Sequence, residues 1–89
     1  MREAFERMAW ALYELALSEA EREADTEDEI AEGTQDTLDM LLWDEFIIEP
    51  GLHPKEWGET ARIIDEVVER VMTGKARQRY QARDLANFG

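Results

Sequence analysis

The spacing of its breaks most limits what this chain can fold into. Residues 2–24 contain no glycine or proline and consist largely of alanine, leucine, glutamate and arginine. These residues lose least on entering a helix. Phe5, Met8, Leu12 and Leu15 recur at threes and fours, with Ala9 and Ala16 beside them, and mark one apolar stripe. Trp10, Tyr13 and Leu17 mark a second stripe on another side. A helix that is apolar on two sides meets two neighbours, or one neighbour and a second chain.

The next break has two candidates. Thr26 followed by Glu29 has the form of a capping box, in which each side chain bonds a backbone N–H of the other's turn. Gly33-Thr34 competes, with Gly33 closing one helix and Thr34 opening the next. A single bent helix through the whole stretch is the third option. Residues 34–48 then carry Leu38, Leu41, Leu42, Phe46 and Ile48 over one broad arc, with Met40, Trp43 and Ile47 over much of the rest. A strand over "EFIIE" would have no second strand to pair with.

"EPGLHP", residues 49–54, is turn chemistry followed by a proline suited to a first helical turn. Residues 54–73 form the cleanest helix. Trp57, Ala61, Ile64, Val68 and Val71 lie on one side, and Glu59, Arg62, Glu66, Glu69 and Arg70 lie opposite. Gly74 is placed to stop it, leaving residues 75–87 as a short fourth helix or arm. The expected fold is one all-α domain over residues 1–89. It is an antiparallel bundle of three main helices plus that C-terminal piece.

Eighty-nine residues with an apolar fraction of 44% support a core, and a net stability of about 5–10 kcal/mol is ordinary for that size. Small chains often gain buried area by oligomerising. Trp10, Tyr13, Leu17, Trp43 and Ile47 lie off the main stripes and are the expected contact with a second copy. The absence of cysteine removes disulfide and thiolate chemistry and fits a reducing compartment. No apolar run approaches the ~18 residues of a membrane span. Acids among the first ten residues argue against a secretory signal. A cytoplasmic location is the expectation.

Charge supplies the functional argument. The formal net charge is −12, and it is placed unevenly. Residues 1–50 hold sixteen acids and three bases, whereas residues 51–89 hold six acids and seven bases. Such a chain is repelled by phosphate backbones and by anionic membrane surfaces, so direct nucleic-acid and membrane binding are disfavoured and a basic partner is favoured. Residues 18–36 hold nine carboxylates against one base, Arg22. If they are helical, like charges stack at i, i+4, at roughly 0.2–0.5 kcal/mol per pair. A solvated hairpin tip is one reading of that segment. The other is contact with a basic surface through Glu19, Glu21, Glu23, Asp25, Glu27, Asp28 and Glu29, in the manner of a protein that imitates nucleic-acid charge. The function expected is therefore a non-enzymatic interaction protein, an inhibitor or regulator, with no cofactor.

Two alternatives stand beside it. "EIAEGTQDTLDMLL", residues 29–42, resembles the second motif of the all-alpha nucleotide pyrophosphohydrolases. The resemblance implies a Mg-dependent hydrolase with Glu32 and Asp36 as metal ligands. Gly33 stands where that family has a second glutamate, and the first helix offers only Glu14 and Glu19 for its paired-glutamate motif. The other alternative is a structural subunit held by its aromatic stripes. Other chemistries find no support. His53 is the only histidine and lies in the proline-bounded loop, Ser18 is the only serine and has no adjacent base, and there is no phosphate-binding loop.

Overall fold

Thr26 decides where the first helix ends. In the computed structural model, which describes the backbone of residues 2–88 and the side chains of residues 2–75, Thr26 is the N-cap of the second helix. Its hydroxyl accepts from the Glu29 N–H at 3.2 Å, and the Glu29 carboxylate accepts from the Asp25 N–H at 3.2 Å. The reciprocal pair of a capping box is thus present, one residue displaced. Helix α1 spans Arg2–Glu23 and helix α2 spans Glu27–Trp43.

Gly33 lies inside α2 and does not break it. A Cβ at Gly33 would come within 3.2 Å of the Ala20 Cβ, so the glycine lets α1 and α2 approach closely. Gly74 is likewise inside a helix. Helix α3 runs unbroken over Pro54–Phe88, so residues 75–88 continue it and no separate fourth helix begins. A Cβ at Gly74 would meet Trp10 Cη2 at 3.0 Å. At both positions glycine serves the approach of a neighbouring helix, and the intrahelical bonds continue through it.

At the far end, α2 passes into a π-helical turn, Asp44–Ile48, in which the Glu49 N–H donates to the Asp44 carbonyl at 2.8 Å. The wider turn has a packing consequence. Leu38 and Leu42 are fully buried four residues apart, and the next fully buried side chain is Ile47, five further on. The extra residue of the π turn keeps Ile47 on the core side that an α turn would rotate away. Gly51, at φ +69°, takes the left-handed conformation that closes the loop. His53 caps α3, its Nδ1 accepting from the Lys55 N–H at 3.2 Å.

The helices run up, down and up, all-α as the sequence implies. Ion pairs between α1 and α3 rise together in both helices, Arg2 with Glu66, Glu6 with Arg70 at 3.3 Å, and Glu14 with Lys75 at 3.4 Å, so these two helices are parallel. The pairs are mostly exposed and stabilise by about 0–1 kcal/mol each. The burden falls on a core of Phe5, Ala9, Tyr13, Ala16, Leu38, Leu42, Ile47, Ile64, Val67, Val68 and Val71. Phe5 stacks on Phe46 with ring centres 3.8 Å apart.

The buried stripe of α1 differs from the expected one. It follows Phe5, Ala9, Tyr13, Ala16 and Ala20, while Leu15 is 51% exposed. Small alanines face inward because the helices pack close, and the larger Met8 and Leu12 sit partly buried at the margin. Trp57 also sits outside the core at 37% exposure, its indole N–H donating to the Leu52 carbonyl at 2.9 Å and its ring set edge-on to Trp43.

Gly58 is exposed inside α3 with open space where a Cβ would stand. Gly58→Ala is expected to raise stability by about 0.5–1 kcal/mol, since glycine loses more backbone entropy on entering a helix. Thermal and urea unfolding would measure it, and a lower midpoint would contradict the helical assignment there. Among the described residues, no helix is long and apolar enough to cross a membrane.

Candidate functional site

The hairpin of α1 and α2 folds the acidic segment back on itself. The last turns of α1 carry Glu19 and Glu23, and the first turns of α2 carry Glu29, Glu32 and Asp36. These five carboxylates line one groove of about 480 Å³ along the α1/α2 seam, whose other lining residues are Ala20, Ala24, Gly33, Thr37 and Met40. Among the described residues, no lysine or arginine lines it. The close Ala20–Gly33 approach keeps its floor low.

The seven carboxylates expected to form the contact divide. Glu19, Glu23 and Glu29 line the groove, while Glu21, Asp25, Glu27 and Asp28 are exposed but do not. The groove gains Glu32 and Asp36, which the sequence suggested only as metal ligands. Glu19 keeps a loose pair with Arg22 at 3.8 Å, and Glu29 is engaged as a cap. Among the described residues, no three acidic or histidine side chains converge in a way that would hold a metal ion.

A second carboxylate cluster lies on the α2/α3 seam and was not anticipated. Asp36, Asp39, Asp65 and Glu69 line a groove of about 440 Å³ with Gln35 and Val68. Partial burial, with Asp65 and Asp36 close by and a hydrogen bond to Asp65, raises the Asp39 carboxyl above its ordinary value of 3.8. Two carboxylates share a hydrogen bond only while one holds a proton. The folded state therefore binds that proton more tightly than the unfolded chain, and its stabilisation is lost as pH rises from 3.8 through the raised value. Asp39→Asn keeps a donor for Asp65 without the charge. It is expected to be more stable than the native chain at pH ~7 by about 0.5 kcal/mol, solvent screening limiting the gain. The gap should close on acidification. Urea unfolding across pH checks this, and a gap that widens toward acid would contradict it. The sequence held the spacings Asp36–Asp39 and Asp65–Glu69, and the expected bundle packs the two helices together, but nothing in it sets the rotation that brings these two acidic faces to one seam.

The aromatic residues expected at a subunit contact are largely engaged within the protomer. Tyr13 and Ile47 are buried in the core, and Leu17 and Trp43 pack against it. Trp10 is 38% exposed and lies over Gly74, with the Lys75 ammonium 5.3 Å from its ring centre and 5.0 Å from that of Tyr13. The second stripe of α1 is open in the sequence to a second neighbour of the same chain or to a second copy. With α3 continuing, Trp10 and Tyr13 meet α3 of their own chain.

No known protein family, curated protein or solved structure matches the chain.

Proposed function

We propose that the chain is a non-enzymatic interaction protein of the cytoplasm that docks a basic surface of another macromolecule through its acidic α1/α2 face. In its strongest form it is a regulator that occupies a nucleic-acid-binding site, its carboxylates standing where phosphates would stand. The observation that supports this reading is the lining of the α1/α2 groove, which among the described residues has five carboxylates from two helices and no base. Like charges so placed destabilise the hairpin, and a basic partner offsets that repulsion on binding. Steering by the excess charge makes association fast and salt-sensitive.

The test is competition. The immobilised chain is exposed to native cell extract at about 50 mM and about 500 mM salt, conditions that differ several-fold in screening length. The partner retained only at low salt is then challenged with duplex DNA and with RNA. The expected result is a basic protein that either nucleic acid displaces. Retention indifferent to salt and to both competitors would overturn the reading.

A further inference from the structure

A concave site of another kind lies at the end of α1 away from the hairpin tip. Phe5 of α1, Phe46 of the π turn, Leu52 of the loop and Ile63 of α3 form the apolar walls of a cleft of about 420 Å³. Phe5 is buried and stacks on Phe46, while Phe46, Leu52 and Ile63 are only partly buried. Apolar surface thus stays open to water inside a concavity within the range of about 300–1,000 Å³ that small-molecule sites occupy.

The walls are fixed before anything binds. The Leu52 N–H donates to the Ile47 carbonyl at 2.9 Å, and the Leu52 carbonyl accepts from the Trp57 indole N–H at 2.9 Å. Leu52 is thereby tied to the π turn on one side and to α3 on the other. Stacking at 3.8 Å holds Phe46 against α1. A site so preorganised loses little conformational entropy when a ligand enters.

The polar part of the lining is acidic. Glu56, Glu59 and Thr60 share one side of α3 with Ile63, at the three- and four-residue spacings of a helix face. Among the described residues, no lysine or arginine lines the cleft, and neither glutamate side chain is in an ion pair or a hydrogen bond. Arg2, at this end of α1, pairs with Glu66 instead.

We propose that this cleft binds a small organic ammonium ion, an amine that carries an aromatic or alkyl group. The apolar group lies against Phe46, Leu52 and Ile63, and the ammonium meets Glu56 and Glu59. Charge complementarity selects a cation, and the apolar walls select one with an apolar body over a metal ion or a plain ammonium. The faces of aromatic rings attract an organic cation as well. The cleft shares no residue with the α1/α2 groove. This inference therefore goes beyond the docking of a basic macromolecule and stands or falls separately from it.

The experiment titrates the full chain with phenylbutylammonium and with phenylbutanol, which has the same body without the charge. Shifts of the Leu52 and Ile63 methyl signals report occupancy. The ammonium is expected to bind at least about fivefold more tightly than the alcohol, since two exposed carboxylates act on it. In the double variant Glu56→Gln and Glu59→Gln that preference should vanish while circular dichroism stays native, both side chains being exposed.

Equal affinity for the two probes in the native chain would overturn the proposal. So would a preference for the ammonium that survives the double variant, because attraction to the net charge of the whole chain would then explain it. Methyl signals of Leu52 and Ile63 that stay still while the ammonium shifts others would place binding elsewhere and also overturn it.

Discussion

Replacing Glu19, Glu23, Glu32 and Asp36 together by lysine is expected to lower affinity for a basic partner by roughly a thousandfold at low salt. Exposed or partly exposed charge pairs contribute about 1 kcal/mol each, and reversal also adds repulsion, so four changes sum to about 4 kcal/mol. The fold should tolerate them. All four side chains are exposed, and the one ion pair lost among the described residues, Glu19 with Arg22, is a loose surface contact. Lysines among the remaining acids also relieve like-charge contacts along both helices. Affinity by anisotropy and helicity by circular dichroism are measured on the same samples. An affinity within about threefold of native, with helicity unchanged, would remove the groove from the account.

The second large effect concerns the core. Leu42→Ala is expected to destabilise by about 2–5 kcal/mol, since Leu42 is fully buried and truncation leaves a cavity the surroundings only partly fill. Against a net stability of about 5–10 kcal/mol, that removes a large part of what holds the chain folded. Position matters here as much as size. Leu42 lies between Leu38 and Ile47 on the buried line that the π turn maintains, so the cavity opens where α2 changes pitch. Urea unfolding gives the change directly, and a loss under about 1 kcal/mol would mean that the α2 end is not part of the cooperative core.

Much of the fold was legible because its punctuation is local. Thr26 with Glu29 and Pro50-Gly51 with Pro54 act through bonds to their own neighbours, so the sequence displays them. The glycines show the opposite case. Gly33 and Gly74 carry the same signal as a helix stop, but their role is to admit Ala20 and Trp10 from another helix. That role exists only once the helices are packed. The second stripe of α1 allowed either a second neighbour within the chain or a second copy, and α3 of the same chain meets Trp10 and Tyr13. The π turn was invisible for a related reason. The step from Leu42 to Ile47 looks out of phase until the backbone absorbs an extra residue.

The acidic site was half legible. Composition placed the carboxylates in residues 18–36, and the structure sorts them. With the turn at residues 24–26, Glu19 and Glu23 come to face Glu29, Glu32 and Asp36 across one seam, while Glu21, Asp25, Glu27 and Asp28 do not line it. Helical spacing separates Glu19 and Glu23 from Glu21 and Asp25, but not which row faces α2, because that depends on the hairpin's direction and on the Ala20–Gly33 contact.

Chemical-shift mapping of the full chain during titration with a lysine-rich peptide tests the central claim most directly. The account predicts that the amides of Gly33 and Thr37 and the Met40 methyl move first and furthest, with the amides of Asp65 and Glu69 on the other seam silent. Shifts spread evenly over every acidic residue, or gathered at Glu21, Asp25 and Asp28, would contradict it.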